Sequence, residues 1–258
     1  MNLFQAIILG IIEGVTEFLP ISSTGHLIIA EHLLQIKPTE FLKSFDILIQ
    51  MGAILAVICL YSNKIISSKT LWRPITLAFI PTGVLGAIAY PHIKNYLLNN
   101  ITVTVISLFV GGIILLLLDR PLSTKPSSFK VAQLPIPRLL LIGIFQSFSF
   151  IPGVSRAAAS IIGGLSVGLS KADAVEFSFL LAIPTMAVAT GYDMLKSGLS
   201  FSLNDFALLG VGFVSSFITA LIAIKAFLRV VTKTGFTPFA IYRIVLAVFI
   251  YLTLSHIT

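Results

Sequence analysis

The sequence predicts an all-α polytopic membrane protein, and three observations predict it. Of 258 residues 57% are hydrophobic and 10% charged, whereas a soluble domain carries about 25% charged residues. The apolar residues come in runs of roughly 17 to 25, the length a helix needs to cross a hydrocarbon core about 30 Å thick. They also run all round the helix rather than alternating, which excludes a β-barrel, whose lipid face takes only every second residue. The net charge of +7 sits in short loops between apolar runs, where cations act as topology signals, so nucleic-acid binding is excluded. Cys59 is the single cysteine; inside an apolar span it reads as a packing residue. The first cation is Lys37, and without a basic n-region or a small-residue cleavage site the N-terminal segment is expected to belong to the mature protein.

Full spans are expected at 41–62, 74–90, 101–118, 174–195, 205–227 and 238–256, each bounded by polar or proline-containing turns. Two further apolar segments, 3–36 and 139–168, are interrupted by Pro20-Ile21-Ser22-Ser23-Thr24-Gly25 and by Pro152-Gly153-Val154-Ser155. They read as broken, re-entrant hairpins, which a bilayer tolerates only where protein or a water-filled cavity satisfies the freed polar groups. A constant offset of 133 pairs Gly10 with Gly143, Glu13 with Gln146, Ser22 with Ser155 and Ile28 with Ile161. A single membrane domain over 1–258 is therefore expected, built of repeats at about 1–125 and 133–258. Each repeat holds one hairpin and three spans, and an odd number of spans makes the second copy inverted.

The positive-inside rule assigns Lys64, Lys69 and Arg73, then Arg120, Lys125, Lys130 and Arg138, then Lys171, then Lys225, Arg229 and Lys233 to the cytoplasm. Four cations, Lys37, Lys43, Lys94 and Lys196, fall outside. Both chain ends are then extracytoplasmic, and the hairpins enter from opposite sides with their tips together.

Glu13 and Glu17 stand four apart on one helix face. Two carboxylates and His26 in an apolar segment cost about 2.5 kcal/mol or more per ionised group, so their default reading is functional; the bland one is hydrogen bonding to neighbouring helices. Pro20 ends the first half-helix, and Ser22 or Ser23 can cap the next, leaving amides around Thr24, Gly25 and His26 open to an anion. In the second hairpin Pro152 and Gly153 turn, Ser155 caps and Arg156 starts a helix. Two positive helix ends and a guanidinium suit a phosphate or diphosphate. A salt bridge from Arg156 to Glu13 or Glu17 is the structural alternative. A phosphate beside two carboxylates calls for a cation, and Mg2+ or Ca2+ on Glu13 and Glu17 suits these oxygen ligands better than zinc.

The stretches EGVTEFLPISSTGH and PGVSR, with FDILIQMGAILAV, EFSFLLAIPTM, ALIAIKAFL and PFAIYR, resemble undecaprenyl-diphosphate phosphatases of the bacitracin-resistance type over nearly the whole chain. The resemblance maps the family's acidic motif onto Glu13 and Glu17, its histidine onto His26, its serine pair onto Ser22 and Ser23, and its arginine motif onto Ser155 and Arg156. Where the family commonly continues with Ser and then Thr, this chain has Ala157 and Ser160; one hydroxyl is lost, and Ser160 keeps a donor. The resemblance implies hydrolysis of a membrane-dissolved polyprenyl diphosphate to the monophosphate. Arg156, Ser155, Gly153, Ser160 and the amides near Ser22, Thr24 and Gly25 would hold the diphosphate. Glu13 and Glu17 would bind metal or move protons. Ser23 is the preferred nucleophile, His26 the general base or itself the nucleophile, and a Glu17-activated water is a further possibility.

It also implies a bacterial cytoplasmic membrane and leaves a homodimer open, while the loop charges open the Glu13 to His26 hairpin to the outer side. The alternative class is a secondary transporter or lipid flippase, since broken midplane helices in inverted repeats are also a transporter design. Asp46, Gln50 and Glu176 are weaker candidates for the cavity wall. Glu31 and His32 are expected at the outer interface, Arg243 and Lys225 as snorkelling or structural cations, and Asp173 as a helix-start residue.

Overall fold

A computed structural model of the chain describes residues 1–92, 101–123, 130–197 and 201–254. Of the topology markers, Lys94 and Lys125 lie outside the described residues. Eleven α-helices follow one another, with no strand among the described residues: α1 (Leu3–Thr16), α2 (Ser23–Leu33), α3 (Glu40–Leu60), α4 (Ser62–Ser67), α5 (Lys69–His92), α6 (Ile101–Ser123), α7 (Ile136–Ser147), α8 (Arg156–Ser166), α9 (Lys171–Ser197), α10 (Leu203–Thr234) and α11 (Thr237–Leu254).

Five of these, α3, α5, α6, α9 and α10, have the length and apolarity to cross a membrane. The sixth expected span is α11, apolar over its 18 described residues, about 27 Å at 1.5 Å per residue; the last two residues of that expected span lie outside the described residues. Its start is fixed by Gly235, at φ +73°, and by the Asp119 carboxylate, which accepts from the amides of Phe236 (3.0 Å) and Thr237 (2.9 Å). This cap ties the start of α11 to the end of α6.

Neither α1 (14 residues) nor α2 (11 residues) is long enough to cross alone. Asn2 and Gln5 form a capping box at the start of α1, and the Gln5 amide also donates to the Leu34 carbonyl (3.1 Å), closing the hairpin at its open end. The second hairpin, α7 and α8, has the same form. Its inner helix, Arg156–Ser166, begins and ends 133 residues after Ser23–Leu33, and the residue before each, Ser22 (φ 70°) or Ser155 (φ 73°), is left-handed. Expected as interruptions of apolar segments, both breaks are present, each with a left-handed serine before its inner helix.

Two close helix contacts hold the hairpins in the bundle. A Cβ on Gly10 would come 2.4 Å from the Gly212 carbonyl oxygen of α10, and one on Gly143 would come 2.0 Å from the Ala78 carbonyl oxygen of α5. Small residues let backbones approach where lipid offers no hydrophobic drive to associate. Between them lies an aromatic core in which Phe179 stands edge-on to Phe18 (5.3 Å) and tilted against Phe227 (6.1 Å).

The loops sort into two groups. Lys64 pairs with Glu176 near the start of α9, Lys171 lies 3.6 Å from Asp119 at the end of α6, and Arg138 donates to the Val167 carbonyl (3.3 Å). All four cationic segments assigned to one side by charge are represented in or next to this group, since Lys233 precedes Gly235 and a Cβ on Gly235 would lie 2.9 Å from Lys171 Nζ. At the other end, Phe41 at the start of α3 meets Phe201 (5.7 Å), which meets Phe206 at the start of α10.

Gly143→Ala is expected to destabilise the detergent-solubilised protein by about 1–3 kcal/mol, the usual cost of overpacking. Gly210→Ala, whose methyl would meet nothing within 4 Å, is expected to leave thermal stability unchanged or raised. Equal melting temperatures for the two variants would show that the α5–α7 contact is not the close one described.

Candidate active site

Breaking a helix inside a membrane orphans backbone carbonyls, and each must find a donor. Here the donor is Arg243 of α11, which is fully buried. Its Nε donates to Leu108 O (3.3 Å), Nη1 to Pro20 O (3.1 Å) and Val154 O (2.9 Å), and Nη2 to Ser107 O (3.1 Å) and Gly153 O (2.9 Å). A guanidinium has five N–H groups, and all five are used on carbonyls of the first break, the second break and α6. Arg243 therefore does not snorkel; of the two roles expected of it, the structural one holds. Its neighbours are shaped around it: a Cβ on Gly111 would lie 2.2 Å from Nη2. Gly153, at φ +90°, has room for no Cβ beside the Thr104 carbonyl (2.3 Å).

With the two breaks joined, their polar side chains meet. Glu17, at the end of α1, accepts at Oε1 from Arg156 Nε (3.2 Å) and Nη2 (3.1 Å). Its other oxygen accepts from the Ser23 hydroxyl at 2.5 Å. The side chains of Arg156 and Glu17 are 9% and 4% exposed, a burial at which removing one charge of the pair strands the other. Arg156 is steadied further by the Ser178 carbonyl (3.0 Å) and by the Phe18 ring 5.7 Å away. Three of its five N–H groups are engaged in these bonds, leaving two for an anion. The salt bridge weighed as the structural alternative is thus present, and it leaves donor capacity beside Ser23.

Glu13 is fully buried, and neither of its carboxylate oxygens has a hydrogen-bond donor. Its charged neighbours are Glu17, Asp46 and Arg156. Its counterpart Gln146 is also buried, but its amide donates to Thr82 Oγ1 and Thr185 Oγ1, both at 3.0 Å. The second hairpin thus fills this position with a neutral amide bonded through its nitrogen, and the first with a carboxyl group beside that of Glu17.

The remaining expected residues divide. Ser155 caps α8 through the Ala158 amide (3.2 Å) and reaches back to Leu19 O (3.5 Å). Ser22 precedes α2 without a side-chain cap bond. Thr24 is exposed and Gly25 buried in the first turn of α2, and the His26 amide is not open to an anion, since it bonds Ser22 O (3.4 Å). The His26 ring bonds groups other than the Ser23 hydroxyl: Nδ1 faces the Ser22 carbonyl (2.7 Å) and Nε2 the Tyr242 hydroxyl (2.7 Å). A carbonyl only accepts, so Nδ1 carries the proton and Nε2 accepts from Tyr242. Ser160 turns away into α8, bonding Arg156 O (2.9 Å) and Ser178 Oγ (2.7 Å), and Ala157 is buried in the core.

Among the weaker candidates, Glu176 pairs with Lys64, and Asp173 forms a helix-start pair with Ser170 (2.6 Å). Glu31 does not simply face the interface; one of its oxygens is buried beside Asp46. Sequence reasoning missed Tyr242 and the clamping role of Arg243. The available signal was an arginine in an apolar helix, which by default needs a named partner.

Fold and site define a class, an all-helical integral membrane protein with a buried Glu–Ser–Arg cluster where two broken helices meet. Comparison with known proteins is specific: the chain belongs to the Bacitracin resistance protein BacA family, whose sequence profile matches residues 6–249. A relative from Aquifex aeolicus (strain VF5), named undecaprenyl-diphosphatase, is 50% identical over 246 residues, covering 95% of this chain and 96% of its own. Relatives of the same name from Wolinella succinogenes and Thermus thermophilus are 46% and 45% identical, each over 96% of this chain and over 96% and 95% of their own.

Arg243→Lys is expected to lower stability by about 3–5 kcal/mol, because an ammonium has three donors and leaves carbonyls of both breaks buried and unpaired. Thermal unfolding in detergent measures it, and a wild-type melting temperature would show that the five bonds do not hold the breaks.

Proposed function

We propose that the chain is a membrane phosphatase that hydrolyses undecaprenyl diphosphate to undecaprenyl phosphate and inorganic phosphate. The observation that carries this reading is the Ser23–Glu17–Arg156 cluster. A hydroxyl lies 2.5 Å from a carboxylate that a guanidinium holds in place, which is the arrangement of an activated nucleophile beside an anion site. The names of the relatives supply the substrate, and the lipid nature of that substrate explains why a phosphatase is buried in apolar helices.

In this mechanism the diphosphate lies against the two spare N–H groups of Arg156 and the amides that open α2. Ser23 Oγ attacks the terminal phosphorus and passes its proton to Glu17 Oε2. The bond to the bridging oxygen breaks, and polyprenyl monophosphate leaves. Glu17 passes that proton to the departing monophosphate and is a base again. Water then attacks the phosphoserine, giving a proton to Glu17, which hands it to Ser23 Oγ as the P–O bond breaks and inorganic phosphate departs. Glu17 rather than His26 is the base toward Ser23, since the ring nitrogens of His26 are engaged elsewhere.

The unbonded oxygens of Glu13 and the remaining lone pair of Glu17 Oε2 are the hard donors that a Mg2+ or Ca2+ ion prefers. No group of three or more metal-type side chains gathers among the described residues, so substrate oxygens and water would complete the shell. When bound, the ion would neutralise charge on the phosphates beside two carboxylates.

Supporting an inverted relation between the halves are the 133-residue offset of both ends of α2 and α8 and of the starts of α1 and α7, and the exchange of partners, α1 with α10 and α7 with α5. The cationic loop group is placed in the cytoplasm of a bacterial cell, so that the Glu13–His26 hairpin opens outward.

Glu17→Gln, Arg156→Ala and Ser23→Ala are each expected to slow phosphate release from a polyprenyl diphosphate by about 100-fold or more, and a chelator to do the same until Mg2+ or Ca2+ is restored. Wild-type rates in a variant remove that residue from the mechanism, and full activity without divalent ions removes the metal. For sidedness, a cysteine at Asn2 in a Cys59→Ala background is expected to react with an impermeant thiol reagent on intact spheroplasts, and one at Ser127, outside the described residues, is not; the reverse pattern inverts the topology.

A further inference from the structure

The two breaks hold the same left-handed serine in different ways. Ser155, at φ 73°, is fixed by its own hydroxyl, which accepts from the Ala158 amide (3.2 Å), and its carbonyl accepts from the Ala159 amide (3.0 Å). Ser22, at φ 70°, has no side-chain cap bond, and the matching amide, that of His26, stands farther from its carbonyl (3.4 Å). The residue 133 positions after His26 is Ala159. The break that caps itself therefore carries no imidazole, and the break that does not cap itself carries one.

His26 Nδ1 donates to Ser22 O at 2.7 Å, a shorter bond than the backbone one. A neutral imidazole does this only while Nδ1 carries the proton and Nε2 is the acceptor, and Nε2 accepts from the Tyr242 hydroxyl at 2.7 Å. The two rings lie 5° from parallel with centroids 5.5 Å apart, an offset stack that sets the plane in which Nδ1 points. An exposed tyrosine on a membrane helix ordinarily offers its hydroxyl to the headgroups; this one is engaged by a ring nitrogen. The next residue is Arg243, which bonds Pro20 O directly. Consecutive residues of α11 thus reach the first break by two routes, Arg243 at Pro20 and Tyr242, through His26, at Ser22.

Ser23 follows Ser22 in the chain, and its hydroxyl meets Glu17 at 2.5 Å. The backbone of Ser22 decides where that hydroxyl lies. We propose that Tyr242 is a positioning residue: its hydroxyl fixes the His26 ring in the form that holds the Ser22 carbonyl, and so presents Ser23 to Glu17. This inference rests on the phosphatase reading.

A double-mutant cycle tests whether Tyr242 acts through His26. Tyr242→Phe keeps the stacked ring and removes the hydroxyl. His26→Asn places an amide nitrogen near the position of Nδ1 and ends short of Tyr242. On folded protein, losing this one oriented hydrogen bond is expected to lower kcat for a polyprenyl diphosphate about fivefold in Tyr242→Phe, with KM unchanged. In the His26→Asn background the same change is expected to do nothing, and Tyr251→Phe, on an exposed part of α11, to do nothing in either. A wild-type kcat in Tyr242→Phe overturns the proposal. So does a loss that persists beside His26→Asn, which would be a role independent of the ring, or a raised KM with kcat unchanged, which would be substrate binding.

A second readout needs no turnover. In protein labelled with 15N-histidine, the signals lost in His26→Asn belong to His26. Its Nε2 signal is expected to move downfield in Tyr242→Phe, as an acceptor nitrogen does on losing its donor, while Nδ1 keeps its proton. An unmoved signal overturns the proposal. A signal that moves, in a protein whose wild type releases no phosphate, would keep the hold on Ser22 and lose the phosphatase reading.

Discussion

The five hydrogen bonds of Arg243 are the constraint on which the site depends. Opening a helix in hydrocarbon is costly because carbonyls lose their partners and no water replaces them. Two such openings, 133 residues apart in the chain, share one guanidinium here, so the expense of each is met by the same group. The cross-connections between the breaks, Arg156 to Glu17 and Ser155 to Leu19, join the same two turns, and they require those turns to be in register. The buried charge of Arg243 is itself solvated by the carbonyl dipoles it organises. Clamp and clamped groups thus lower one another's desolvation penalty, as buried polar networks do when fully bonded.

Much of this architecture was legible in the sequence. Uninterrupted apolar runs gave the long helices, because crossing a fixed thickness needs a fixed number of residues. Proline, glycine and serine at two equivalent positions gave both breaks, and carboxylates and an arginine at membrane depth marked Glu17 and Arg156, because charge there is too costly to be incidental. The orientation of side chains was not legible. Nothing in the spacing shows that Ser160 turns to Ser178 while Ser23 turns to Glu17, or that His26 meets Tyr242 of α11, since these follow from helix rotation and long-range packing. Arg243 escaped because its partners are backbone atoms, which carry no residue-type signal. The cap of α11 escaped because its carboxylate, Asp119, comes from another helix.

The two hairpins share a left-handed serine before the inner helix and differ in charge. Gln146 and Glu13 occupy matched positions, and an amide that donates to two threonine hydroxyls replaces a carboxylate that has no donor. The second half contributes a cation and a helix start, and the first contributes acids and a hydroxyl. Placing unlike charges on opposite breaks makes the contact between halves attractive, which two identical acidic breaks would not be.

Ser22 and Ser155 both adopt a left-handed backbone, a conformation in which glycine would be at ease and serine is not. At Ser155 the hydroxyl answers for itself by bonding the Ala158 amide. At Ser22 it makes no such bond, although the carbonyl of the same residue takes both His26 donors. One break is therefore conformationally complete as protein. The other is held in a high-energy shape by its neighbours, with a hydroxyl and a helix start still to be used, and whatever settles there inherits a mould whose ordering entropy was spent when the chain folded.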